Sequence, residues 1–126
     1  MSRLSLAFFS VGALCVMIGM VWGSIMGSTE NFTLAPAHAH LNLVGWATFG
    51  LMGTFYALSG RSGRLGWANF AFSATGVVVL IPSLAMYLSG KSAFQPGVIA
   101  GSTLTMIGML LFLIAVLSGW RSAKPA

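Results

Sequence analysis

The sequence predicts an all-α integral membrane protein, a four-helix bundle with up-down-up-down connectivity. Hydrophobic residues make up 57% of its 126 residues and charged residues only 6%, whereas about a quarter of the residues of a soluble domain are charged. Four nearly uncharged stretches are each long enough to cross a bilayer core, which needs about 20 helical residues. These stretches are continuous rather than short and alternating, so we expect helices and not the strands of a barrel.

The predicted helices follow one another closely and leave no room for a soluble domain. We place them at residues 4–26, 37–59, 65–89 and 95–120. Loops of roughly 5 to 10 residues join them, which favours antiparallel neighbours within one domain that covers residues 1–126. Any chemistry is therefore expected inside the bilayer or at its surface.

The first predicted helix carries a ladder of small residues. Gly19, Gly23 and Gly27 recur every four residues, a spacing that lets helix backbones approach closely in lipid. We predict that this face packs against another helix. The apolar stretch is longer than the core of a signal peptide and lacks its cleavage pattern, so we expect it to be retained.

The later helices carry prolines and a second glycine pair. Pro36 and Pro96 stand at the starts of helices 2 and 4, where a missing N–H removes no hydrogen bond of the helix. Pro82 lies inside helix 3 and is expected to kink it. Gly97 and Gly101 repeat the small-residue spacing on helix 4, which predicts a second close helix contact.

The basic residues predict the topology rather than a nucleic-acid partner. The formal net charge is +5, but the bases are scattered and form no patch or stripe, so we expect no nucleic acid to bind. Most of them lie at the N-terminus, between helices 2 and 3 or in the C-terminal tail: Arg3, Arg61, Arg64, Arg121 and Lys124. The positive-inside rule then places both termini in the cytoplasm and the start of helix 2 towards the outer side.

The two histidines of the chain, His38 and His40, lie in the stretch APAHAHLNLVGW at the start of helix 2. Side chains two positions apart on an α-helix project about 200° apart, so one helix cannot direct both rings to one metal ion. A metal site with two imidazoles therefore needs a second copy of this helix. Asn42 follows His38 by four residues and can fix the orientation of its ring.

Small residues follow the histidines along predicted helix 2. Gly45 lies one heptad after His38 and Ala47 one heptad after His40, which predicts a thin surface against which a flat macrocycle could lie. Three roles for the histidines stay open from the pattern alone. They are ligation of a metal or haem, a structural role at the membrane interface, and proton relay.

The segment HAHLNLVGW resembles the second helix of a four-helix unit of the haem–copper oxidase superfamily, whose catalytic subunit arranges three such units around a pseudo-threefold axis. His40-Leu41-Asn42 matches the H-x-N pattern of a low-spin haem ligand in that family. His38-Ala39-His40 matches the H-x-H pattern whose rings serve two haems on opposite faces. The number of helices and the outer depth of the histidines also agree.

The resemblance implies a homotrimer in the lipid bilayer of a bacterial inner membrane, in which three copies rebuild the twelve-helix arrangement. Haem b would lie between protomers, with His38 of one and His40 of its neighbour as iron ligands, and would transfer electrons, with quinone or a redox protein as partner. Lys91 is placed to pair with a haem propionate. The chain has no third histidine, so we expect no complete O₂- or NO-reducing copper site.

Two alternatives without haem remain. In one, His38 and His40 form a soft site for copper together with Met26, in copper delivery or oxidase assembly. In the other, the chain is an accessory subunit whose histidines cap helix 2 or bind a partner. Cys15 is the only cysteine, which excludes an intrachain disulfide.

Overall fold

The computed structural model describes residues 1–120, with the side chains of residues 1–119, and consists of four long helices. They are α1 (Arg3–Thr29), α2 (Ala35–Ser59), α3 (Arg64–Leu88) and α4 (Gln95–Trp120), the last preceded by a 3₁₀ turn at Ser92–Phe94. All four are long and apolar enough to cross a membrane, and residues 1–120 form no strand. For residues 1–120, the prediction of an all-helical fold with four helices long and apolar enough to span a membrane is confirmed. Arg121 and Lys124, used to predict the topology, lie outside the described residues.

The first connection is shorter than predicted because both flanking helices extend into it. The hydroxyl groups of Ser28 and Thr29 donate to the carbonyl of Ile25 at 3.0 and 2.7 Å, so these polar residues continue α1 past residue 26. Glu30 then ends the helix in the left-handed conformation, with a φ of 51°. Helix α2 begins two residues earlier than predicted, with Pro36 in its first turn, as expected from the sequence.

Helix α2 departs from a regular α-helix directly after His40. Residues Leu41–Ala47 form a π-helix, and the hydroxyl of Thr48 donates to the carbonyl of Leu43, five residues back, at 2.8 Å. The π-helix is rare and is frequently found at functional sites. The sequence predicts a regular helix 2, because no residue pattern in this stretch identifies a π-helix.

Aromatic packing joins α1 to α2 and α3 in the half of the bundle away from the histidines. Phe8 stacks on Tyr56 with ring centroids 5.4 Å apart and meets Phe49 edge-on at 5.5 Å. All three residues are buried. The hydroxyl of Ser5 donates to the carbonyl of Gly53 at 2.9 Å, so α1 and α2 are held together both by rings and by a buried hydrogen bond.

Glycines bring α3 and α4 into close contact. A Cβ atom on Gly101 would lie 2.5 Å from the backbone of Leu80, and one on Gly97 would collide with Ser83. The predicted close contact at this glycine pair is therefore confirmed. Helix α3 continues through Pro82 to Leu88, and Pro96 lies in the first turn of α4, as predicted.

A buried amide links three of the helices. The side chain of Asn69 in α3 donates to the carbonyl of Gly108 in α4 at 2.7 Å and accepts from the hydroxyl of Tyr56 in α2 at 3.2 Å. Hydrogen bonds of this kind hold helices together in lipid, where apolar contact alone gives little drive. They fix α2, and hence its histidines, relative to α3 and α4.

Arg61 fixes the connection between α2 and α3 to the end of α4. Its guanidinium group donates to the hydroxyl and carbonyl of Ser118, at 2.7 and 3.2 Å, and to the carbonyl of Ala115 at 3.4 Å. A cation is favourable at the C-terminal end of a helix, where carbonyl groups lack partners. One of the bases that predict the topology thus also has a structural role.

Candidate cofactor site at the start of α2

The ring of His40 is exposed and one of its nitrogens is already engaged. Nδ1 lies 2.7 Å from the carbonyl oxygen of Pro36, four residues back. A carbonyl oxygen only accepts hydrogen bonds, so Nδ1 carries the hydrogen and donates it. The neutral ring therefore keeps its lone pair on Nε2. Since the side chain is exposed, this nitrogen is free to bind a metal.

The ring of His38 is half-buried and packs against α1. Its Cε1 atom lies 3.1 Å from the position that a Cβ atom would occupy on Gly23. Trp22 meets the ring edge-on, with centroids 6.2 Å apart and planes at 87°. A side chain larger than glycine at position 23 would therefore press on the histidine.

Asn42 contacts His38, as the sequence spacing predicts. Its Nδ2 atom donates to the carbonyl of His38 at 3.0 Å and lies 3.2 Å from Nε2 and 3.5 Å from Nδ1 of the ring. Gly19 makes room for this amide, because a Cβ atom there would collide with Asn42. The amide thus contacts both the ring and the backbone carbonyl of His38 and holds the ring against α1.

The glycine ladder of α1 is a contact face at two of its three positions. Gly19 and Gly23 face Asn42 and His38 on α2, whereas nothing lies within 4 Å of a Cβ atom placed on Gly27. Within residues 1–119, Gly27, which lies close to the end of α1, makes no such contact, and the prediction for this position stays a prediction. The ladder serves the candidate site directly, a role that sequence reasoning did not assign to it.

The two histidines face different surroundings, as their spacing predicts. His38 lies against α1, whereas His40 is exposed. No group of three or more His, Cys, Asp or Glu side chains that could hold a metal ion occurs within residues 1–119. In the described part of one chain, the two rings do not form a shared site.

Gly45 and Lys91, the remaining predicted site residues, lie apart from the rings. Gly45 is buried, and a Cβ atom there would lie 2.8 Å from the sulfur of Cys15 in α1. The flat open surface expected at Gly45 is therefore covered by Cys15, and the contact gives Gly45 a role in helix packing. Lys91 is exposed in the connection between α3 and α4, at the end of the bundle where α2 begins. No described contact tests a cofactor role for either residue.

An apolar groove runs along α1 beside Trp22. It has a volume of about 410 Å³ and is lined by side chains of one face of α1: Leu14, Met17, Ile18, Val21, Trp22 and Ile25. Because Trp22 touches His38, the groove begins next to the histidine. Met26, the soft ligand of the copper alternative, is buried instead, with 8% of its surface exposed.

No protein-family model, curated protein or solved structure matches this chain. The interpretation of the site therefore depends on its own geometry. Two features of that geometry escaped the sequence analysis, the hydrogen bond from His40 to Pro36 and the edge contact of Trp22 with His38. The hydrogen bond has a sequence signal, since Pro36 lies four residues before His40. The contact of Trp22 with His38 depends on how α1 packs against α2.

Proposed function

We propose that this protein binds haem b in the membrane and transfers electrons, with the iron held between protomers by His40 of one chain and His38 of its neighbour. The observation that carries the proposal is the ring of His40. Its Nδ1–H is donated to the carbonyl of Pro36 and its Nε2 is free on an exposed side chain. Histidines that bind metals commonly fix their other ring nitrogen in this way.

The divergence of the two rings supports a site shared between chains. His38 and His40 face different surroundings within residues 1–119, so a second imidazole for the iron at His40 has to come from another copy. In a cyclic oligomer, the His40 face of each chain meets the His38 face of its neighbour, which gives one such interface for each chain. The resemblance of HAHLNLVGW to the haem–copper oxidase helix favours three copies over two.

The residues around the rings fit a flat, largely apolar group with an acidic edge. The groove beside Trp22 offers apolar surface, and the exposed ammonium group of Lys91 can pair with a carboxylate at this end of the bundle. Bound haem supplies a one-electron redox centre, and two imidazole ligands leave it no open position. His38 would hold the iron through a ring nitrogen released from Asn42, while the bond of that amide to the His38 carbonyl could remain.

The charge distribution supports a topology with both termini in the cytoplasm, and the resemblance to the haem–copper oxidases favours a bacterial plasma membrane. In that topology the histidines lie near the outer surface. Electrons would then pass between haem at this depth and a partner in the bilayer or outside the cell, such as a quinone or a soluble redox protein.

An absorption spectrum of the protein purified from haem-replete cells tests the proposal. We expect sharp α and Soret bands on reduction, and loss or shift of these bands in His38→Ala and in His40→Ala. Leu43→Ala is the matched control, because Leu43 is exposed on the same helix and the variant should keep the bands. Colourless wild-type protein would overturn the proposal, and copper without iron in metal analysis would favour the copper alternative.

A further inference from the structure

A crevice opens between α2, α3 and α4 near the middle of the helices. It has a volume of about 210 Å³. Phe49 and Met52 of α2 form its buried wall, whereas Met106 and Met109 of α4, which line its opposite side, are 71% and 46% exposed. The crevice therefore opens sideways, towards the lipid. A cavity of about 150 Å³ in a protein core holds benzene, so this one has room for a substituted aromatic ring.

The crevice contains one buried hydroxyl group with a hydrogen to donate. Ser73 lines it and is 4% exposed. Its oxygen accepts from Nδ2 of Asn69 at 3.4 Å, but within residues 1–119 the hydroxyl donates to no acceptor. The two threonines of the crevice differ, because Thr48 donates to Leu43 and Thr105 to Ser102, each at 2.8 Å. A ligand that brings an acceptor would give the Ser73 hydroxyl a second hydrogen bond, in which it donates.

We propose that this crevice binds the head group of a membrane quinone. The flat ring lies between Phe49 and the methionine thioethers, one quinone carbonyl accepts a hydrogen bond from Ser73, and the isoprenoid tail leaves past Met106 into the lipid. The lining residues carry no charge, which suits a neutral ligand whose polar atoms are acceptors only. Quinone matches each of these properties and reaches the site from within the bilayer.

The place of the crevice suits electron exchange with the histidine end of the bundle. Thr48, which lines it, follows His40 by eight residues on α2, which corresponds to at most about 12 Å along the helix axis, because the π-helix between them rises less per residue than an α-helix. The physiological meaning of quinone binding rests on the proposed electron transfer. The binding itself needs no haem, so the two proposals can be tested separately.

Equilibrium dialysis of labelled decyl-ubiquinone against the full chain in lipid nanodiscs tests the inference. We expect saturable binding above that of empty nanodiscs. Ser73→Ala should weaken it about fivefold, the effect of one hydrogen bond. Met106→Trp should abolish it by filling the mouth of the crevice. Met20→Trp is the matched control, because Met20 is 68% exposed on α1, and should bind as the wild type does.

Binding that does not exceed empty nanodiscs, or that is unchanged in Met106→Trp, would overturn the quinone site. Because Met106 is exposed to lipid, the tryptophan there should leave the fold intact even if Ser73→Ala disturbs it. Colourless protein that still binds quinone saturably would support this site and reject the haem proposal. Haem-containing protein without saturable binding would reject this site alone.

Discussion

Gly23 and His38 form the contact on which the geometry of the candidate site depends most closely. The ring has little spare room, since its Cε1 lies 3.1 Å from the place of an added Cβ atom. The ring of His40 is held differently, by the carbonyl of Pro36 on its own helix. The two rings can therefore be disturbed independently, that of His38 through α1 and that of His40 through α2.

Gly23→Leu should displace His38 and leave His40 in place. We expect the haem spectrum to change from low-spin to high-spin as one axial ligand is lost, and overpacking should lower the free energy of unfolding by about 1 to 3 kcal/mol. Gly27→Leu is the control, because nothing lies within 4 Å of that position, and its spectrum should match the wild type. A low-spin spectrum in Gly23→Leu would contradict the role of His38 as a ligand.

At the scale of the helices, the π-helix at Leu41–Ala47 sets the rotation of the histidines relative to the rest of α2. On the N-terminal side of the π-helix, His38 faces Gly23. On its C-terminal side, Phe49 and Tyr56 face Phe8. Both contacts with α1 are made with this irregular segment between them. Its position next to His40 agrees with the frequent occurrence of π-helices at functional sites.

Deletion of Leu43 should leave haem binding in place. The i to i+5 hydrogen bonds of the π-helix accommodate one residue more than those of an α-helix, so the shortened segment can close as α-helix with His38 still facing Gly23. Deletion of Leu51, which is exposed in the α-helical part of α2, should instead rotate the start of α2 by about 100° relative to its C-terminal half and remove the haem bands. Circular dichroism should show an unchanged helix content in both variants, and loss of the bands on deletion of Leu43 would show that the π-helix does not accommodate the extra residue in this way.

The buried amide of Asn69 should contribute measurably to the association of α2, α3 and α4. Asn69→Ala removes its bonds to Tyr56 and Gly108 and should lower the free energy of unfolding by about 1 to 2 kcal/mol, measured by steric trapping in lipid. Ser24→Ala is the control, since its exposed hydroxyl bonds only to Met20 of its own helix. Equal stability of the two variants would contradict the linking role of Asn69.

At the scale of the whole molecule, composition was sufficient to predict four membrane helices, because an apolar stretch of about 20 residues has few other stable forms in lipid. The spacing of His38 and His40 likewise predicts that their rings diverge. The partners of Gly19 and Gly23, the edge contact of Trp22 and the π-helix were not predictable. Each depends on how α1 packs against α2, which no single stretch of sequence encodes.

The predicted topology can be tested on the intact molecule by cysteine labelling. In a Cys15→Ala background, Lys91→Cys should react with a membrane-impermeant maleimide in intact cells, because residue 91 is exposed at the histidine end. Ser62→Cys, exposed in the connection between α2 and α3, should react only after lysis. Labelling of Ser62→Cys in intact cells would show that the topology is the reverse of the predicted one and that the histidines lie near the cytoplasm.

The central claim is that His38 and His40 of different chains share one iron, and co-expression of His38→Ala with His40→Ala tests it most directly. Each variant alone should lack the low-spin bands. In mixed trimers, about a quarter of the interfaces pair an intact His40 with an intact His38, so the bands should return at that level. A return of the bands on co-expression is the result that we predict. Absence of the bands in the mixture, with a wild type that shows them, would contradict ligation between chains.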